Sequence, residues 1–337
     1  MNELYFKKVI SSVGWALLIF WALVQVFGVT IVFLPLLLDV LPISAVAADV
    51  AYQLLYGAGY MLVFTLPALF LSPILKKRGC QPRPIAFEAR LSPALPLLVF
   101  AALAICFSAA QINAFMVEIF RYSEFSSEVL FDEFEGNAAY EMVLNFIVIA
   151  VVPGICEELF FRGAILGNLL PFGRTNAVLI SAFFFAMMHQ NAGQLFYTFA
   201  VGIVLGLVYE RTGSIWNCIL IHILNNFVSV LEESLYKSSA LDPGTVNVAL
   251  LCIECGIYLL GTASAAILVV RFFTKKKNFE DGVFQKTLPV NDSYAQYPLE
   301  GGRVARLLCT PTVIVFVALC CLEMLLLIFM ALTGGFL

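Results

Sequence analysis

Glu157 and Glu158 stand side by side in the run VVPGICEELFFRG, among residues that are almost all apolar. Insertion scales put a central acidic residue at roughly +2.5 to 3.5 kcal/mol, so a carboxylate at such a depth faces a cavity or a partner. The chain has two histidines, His189 and His222, and both lie in comparable surroundings, FFFAMMHQN and SIWNCILIHILNNF. A carboxylate or imidazole held in such surroundings suits general acid–base work. With the carboxamide of Asn226, these residue types are a catalytic inventory rather than a random scatter of tolerated polar groups.

Helical spacing divides the roles. Residues four apart share a helix face, whereas adjacent ones diverge. Glu158 therefore faces Arg162, which reads first as a buried ion pair that neutralises both charges. Glu157 is left to find its partner on another helix, and an acid so placed suits general-base work. His222 and Asn226 also share a face, a spacing that alone reads as an interhelical hydrogen-bonded contact. Thr212-Gly213 reads as a turn and Ser214 as the N-cap of the helix that carries His222. Gly202 and Gly206 form a small-xxx-small face that lets helices approach closely. Depth adds weight to the chemical reading. Counting 1.5 Å per residue from the expected cytosolic helix ends, Glu157 lies roughly 21 Å from Pro171, His189 roughly 21 Å from Thr175, and His222 and Asn226 roughly 12 and 18 Å from Ser214.

The elements that must deliver these side chains are membrane helices. Of 337 residues, 61% are hydrophobic and 12% charged, and the mean hydropathy is +0.95. Such a composition describes a polytopic membrane protein and gives no reason to expect a nucleic-acid partner. Crossing a ~30 Å hydrocarbon core takes about 20 helical residues. Apolar runs of suitable character lie at 11 to 38, 47 to 75, 93 to 115, 139 to 170, 175 to 191, 194 to 209, 214 to 231, 247 to 273 and 308 to 334. The expectation is an all-α bundle of about nine transmembrane helices, in which the two short runs at 175 to 191 and 194 to 209 could also form one re-entrant hairpin.

With the N-terminus in the cytosol, every basic residue except Arg121 and Lys237 falls at a cytosolic end or loop, which is 17 of the 19 present. That asymmetry is the positive-inside pattern, and it predicts an external C-terminus. The first apolar run follows Lys7-Lys8 but is long and lacks a small-x-small cleavage site, so it reads as an uncleaved helix. The chain divides into N-terminal helices (1–120), a motif-bearing core (137–231) and C-terminal helices (247–337) that include a cytosolic loop at 275–306. The acidic stretch 121 to 137 is expected outside, and the polar stretch 275 to 303 is expected to be disordered. Eight of nine cysteines sit in apolar runs, where cysteine behaves as a small hydrophobe. Cys252 and Cys255 have the spacing of a zinc knuckle but lack a second pair or a nearby histidine, so they read as packing residues. Glu254 and Glu323, acids in late helices, receive no chemical role.

Three motifs in order, Glu157-Glu158-x-x-x-Arg162, Phe185-x-x-x-His189 and His222-x-x-x-Asn226, resemble those of the CAAX-type prenyl protease and bacteriocin-processing family. Thr212 to Trp216, then Ile219, resemble that family's approach to its third motif. The resemblance covers about 137 to 231. It implies an intramembrane endopeptidase of the Ras-converting type, in which Glu157 and His189 activate a water, His222 and Asn226 stabilise the oxyanion, and Glu158 and Arg162 stand behind them. A peptide or membrane-protein substrate and surrounding membrane lipid are expected. The motif helices begin or end near Arg174 and Arg211 and His222 is about two turns from Ser214, so access is expected from the cytosolic half, with Ser214 and Asn217 reachable from the cytosol, as the resemblance also implies. A bacterial cell membrane is the expected location. No cofactor is expected, although two histidines and a glutamate are also a catalytic zinc set, which keeps zinc open. The rival functions are a non-proteolytic scaffold or immunity-type membrane protein and a transporter; the chain shows no repeat symmetry of the kind many transporters carry.

Overall fold

Within a bilayer, backbone polar groups must be satisfied inside the protein, and a helix does so within a single segment. The computed structural model describes residues 2–85, 87, 91–119, 139–237, 242–274 and 301–332, and every regular element among them is helical. In chain order these are α1 (Asn2–Asp39), α2 (Ala45–Lys77), α3 (Leu95–Ile119), α4 (139–172), α5 (Arg174–Met188), α6 (Leu195–Thr212), α7 (Ile215–Lys237), α8 (Pro243–Thr274), α9 (Gly301–Leu308) and α10 (Pro311–Leu332). Eight of them are long and apolar enough to cross a membrane, and α5 is a shorter apolar helix. The chain is therefore an integral membrane protein with an all-α polytopic bundle. α5 and α6 are separate helices joined by residues 189–194.

The outward faces carry what lipid requires: Val32, Phe33, Leu69, Leu259, Leu325 and Phe329 are all exposed. α4 lies inside, packed on α2, α5, α6 and α7, with α3 against α6 and α8, and α1 bridging α2 and α10. The helix that bears both acids is thereby removed from lipid on most sides. Two sequence expectations need correction here. α9 lies partly inside the stretch expected to be disordered; its Val304 and Leu307 are three apart and buried, so the segment is an amphipathic helix seated on α1. Ser214 does precede α7, and Gly213 adopts the left-handed conformation (φ 65°) of the expected turn, but the Ser214 hydroxyl has no hydrogen-bond partner and caps nothing. The stretch 121 to 137 and residues 275–300 of the polar loop lie outside the described residues.

Close helix approach relies on missing side chains. A Cβ on Gly202 would come within 2.9 Å of Ala182 Cα, and one on Gly206 within 3.0 Å of Val178 Cγ1, so the small-residue face of α6 is where α5 docks. At Gly154 an added Cβ would meet Ile223 Cγ1 at 2.6 Å and Ile223 N at 3.1 Å. Gly154 is one turn before Glu157 and Ile223 follows His222, so this contact sets how near α7 can bring its imidazole. Overpacking such a contact costs about 1 to 3 kcal/mol. Gly154→Ala and Gly202→Ala should lower the melting temperature of the detergent-solubilised protein, whereas Gly256→Ala, which meets nothing within 4 Å, should not. A thermal ramp followed by size-exclusion chromatography reads the difference.

Candidate active site

α4 is a single span whose α geometry is interrupted twice, by π-helical segments at Phe146–Val151 and Leu159–Leu166 that flank the regular turns Val152–Glu158. Pro153 gives a local reason for the first. A proline has no N–H and its ring clashes with the carbonyl four residues back, here that of Ile149. The Ile149 oxygen instead accepts from Asn226 Nδ2 of α7 at 3.3 Å. Within the second segment, Ser181 of α5 donates to Phe161 O at 3.0 Å. π-bulges recur at functional sites, and here both fall beside the acids.

Glu158 and Arg162 have no exposed surface, so their charges must be answered inside the protein. Arg162 Nη1 donates to Glu158 Oε1 at 2.8 Å, Nη2 donates to Gly202 O at 3.2 Å, and the guanidinium sits 4.5 Å from the centre of the Phe185 ring. The same Glu158 oxygen accepts from His222 Nδ1 at 2.8 Å. The expected Glu158–Arg162 pair is thus present, and it carries a task that the spacing did not disclose: it holds the His222 ring. With Nδ1 turned to Glu158, His222 presents Nε2 to Glu157, at 3.9 Å from Oε2.

Glu157 is 3% exposed. Its Oε1 accepts from the hydroxyl of Tyr60 on α2, and its Oε2 has no partner in the protein. His189, half-buried at the end of α5, lies close enough for Glu157, His222 and Arg162 to act on it electrostatically, but it makes no hydrogen bond to any of them. Its Nδ1 faces Phe185 O at 2.8 Å; a carbonyl can only accept, so Nδ1 carries the proton and the neutral ring keeps its lone pair on Nε2. The next residue, Gln190, adopts φ 52°, a left-handed conformation that turns the chain away after the imidazole.

Asn226 is half-buried one turn beyond His222. Its Oδ1 accepts from Asn225 Nδ2 at 3.3 Å, and Asn225 Nδ2 also donates to Tyr197 OH at 2.7 Å. Asn113 of α3 donates to Gly193 O at 2.6 Å and accepts from Tyr197 N at 3.3 Å, tying the segment after His189 to α3 and α6. Tyr60, Asn113, Tyr197 and Asn225 were not singled out in the sequence. The recurrence of Tyr52, Tyr56, Tyr60 and Phe64 at intervals of four was the available signal for Tyr60, and it reads as an aromatic packing stripe. Access also differs from expectation: Ser214 and Asn217 are buried, Asn217 Oδ1 accepts from Ser92 N at 3.1 Å, and Trp216 Nε1 donates to Phe87 O at 3.0 Å. Residues of the α2–α3 connection therefore cover that end of α7. Among the described residues no three His, Cys, Asp or Glu side chains are arranged to hold a metal ion.

α4, α5 and α7 thus bring two buried acids, two imidazoles and a carboxamide into one polar region inside the bundle. Residues 139–228, the motif-bearing part of the chain, match the family model described as "Type II CAAX prenyl endopeptidase Rce1-like". A curated relative, described as "Putative membrane peptidase YdiL" from Bacillus subtilis (strain 168), is 31% identical over 128 residues, which cover 37% of this chain and 49% of the relative. The match spans about half the length of that relative. No solved structure matches the chain.

The Glu158 network makes a direct prediction. Glu158→Gln leaves Arg162 charged and buried without its counter-ion, a loss worth ~3 to 5 kcal/mol when a buried pair is broken. Glu157→Gln keeps the side-chain volume and removes a group that pairs with no cation at hydrogen-bond distance. Folded protein recovered from detergent-solubilised membranes should fall sharply for Glu158→Gln and stay near wild type for Glu157→Gln.

Proposed function

We propose that the chain is an intramembrane endopeptidase that cleaves a peptide or membrane-protein substrate with a water activated by Glu157. The observation that carries this reading is the buried, unpartnered Oε2 of Glu157 facing His222 Nε2 across 3.9 Å. That separation is too long for a direct hydrogen bond, and a water oxygen about 2.8 Å from each atom would bridge it. Glu157 takes a proton from this water as its oxygen attacks the scissile carbonyl carbon. His189, with its lone pair on Nε2, is a second acceptor that can orient the nucleophile.

The attack converts the carbonyl oxygen to an oxyanion. Asn226 can donate to it through Nδ2, which has two hydrogens and gives at most one to Ile149 O. His222 can donate through Nε2 when the ring is protonated, since Nδ1 already donates to Glu158. Removing one donor from such a hole typically costs ~10²- to 10³-fold in rate. When the tetrahedral adduct collapses, the leaving amine takes the proton held by Glu157, and the carboxylate is restored.

In this reading the N-terminus is cytosolic, the C-terminus is external, lipid surrounds the bundle, and the membrane is that of a bacterial cell. The reaction uses no cofactor; a zinc-bound water is the competing scheme. Comparison of peptides released from membranes carrying wild type and Glu157→Ala tests the proposal. Peptides generated only by wild type are expected, and their release should survive exhaustive chelation. Identical peptide sets would overturn the protease reading, and loss on chelation with recovery on adding zinc would replace the metal-free scheme.

A further inference from the structure

We infer that Tyr60, which lies outside all three motifs, is a positioning residue that fixes which oxygen of Glu157 acts as the base; the inference rests on the proposed role of Glu157. The Tyr60 hydroxyl donates to Glu157 Oε1, while Oε2 has no protein partner and is the oxygen facing His222 Nε2. One carboxylate oxygen is therefore anchored and the other is free to take a proton. Without an anchor, the side-chain torsions of a glutamate leave the carboxylate several staggered positions, and a misplacement of about 1 Å can cost 10²-fold in rate.

The anchor is itself held. Tyr60 stacks on Tyr56 at 6.3 Å between ring centres and packs against Phe64 at 4.8 Å. Phe64 contacts Phe20 of α1 at 4.9 Å and Phe160 of α4 at 6.5 Å, so the phenol belongs to an aromatic array spanning three helices. α2 thus supplies a donor to a site whose motif residues come from α4, α5 and α7. A half-buried phenol also finds a hydrogen-bond partner when it serves packing alone. The two roles make different predictions for turnover.

The test uses the full-length protein in proteoliposomes. Isotope-edited infrared spectroscopy of protein with 13C-labelled glutamate carboxyl groups locates the Glu157 band as the one lost in Glu157→Gln. In Tyr60→Phe that band should shift, because an oxygen has lost its donor. With a quenched peptide carrying a sequence that wild-type membranes cleave, Tyr60→Phe should lower kcat by about 10- to 100-fold, with KM within about twofold and the melting temperature unchanged. Tyr236→Phe, at an exposed position on α7, should match wild type in all readouts. An unmoved Glu157 band, or full kcat in Tyr60→Phe, overturns the inference, as does a fall in kcat that only tracks a loss of melting temperature. If wild type itself cleaves no peptide, the protease reading fails while the infrared band still decides whether Tyr60 holds Glu157.

Discussion

One carboxylate oxygen, Oε1 of Glu158, joins Arg162 and His222 at 2.8 Å each in a part of the bundle with no solvent exposure at either member of the ion pair. Water cannot compensate a charge there, and the cost of burying one is several kcal/mol unless a partner answers it. The rest of the site follows from that constraint. Arg162 is held further by the Gly202 carbonyl and by the face of Phe185, which locks α4 to α6 and α5. His222 is held by Nδ1, which sends Nε2 toward Glu157. Glu157, whose Oε1 accepts from Tyr60, keeps Oε2 without a protein partner.

The backbone of α4 is shaped to the same end. Pro153 forfeits a helical hydrogen bond, and the affected carbonyl of Ile149 finds Asn226. Gly154 lets Ile223, and with it His222, approach the turn that carries Glu157. Regular α geometry would align the carbonyls of α4 with its own amides; the two π segments redirect some toward neighbouring helices. Stability lost within one helix is recovered as contacts between helices, and those contacts set the distances at which the site residues meet.

Much of this was legible in the sequence because membrane helices have strong local rules. Apolar length gave the spans, and the i, i+4 relation of Glu158 to Arg162 gave the pair. Contacts between segments far apart in sequence were not legible. Tyr60 is 97 residues from Glu157, and its hydroxyl looks the same in sequence as those of Tyr52 and Tyr56. The bond from His222 to Glu158 depends on how α7 rotates against α4, which no single-helix period reports. Ser214 shows the opposite failure: a residue with the right identity for a cap stands at the right position, and tertiary packing leaves its hydroxyl without a partner. The burial of Asn217 has the same origin, since the α2–α3 connection that covers it has no pattern of its own.

The claim on which the account depends is that Glu158 and Arg162 are mutually compensating charges rather than separate polar residues that happen to touch. A double-mutant cycle in bicelles, with Glu158→Gln, Arg162→Met and the combined variant, measures this through equilibrium unfolding. The account predicts that the double variant is destabilised by less than the sum of the single ones, with a coupling on the order of 1 to 3 kcal/mol. Additive losses would contradict it, because each residue would then be stabilised by surroundings other than its partner.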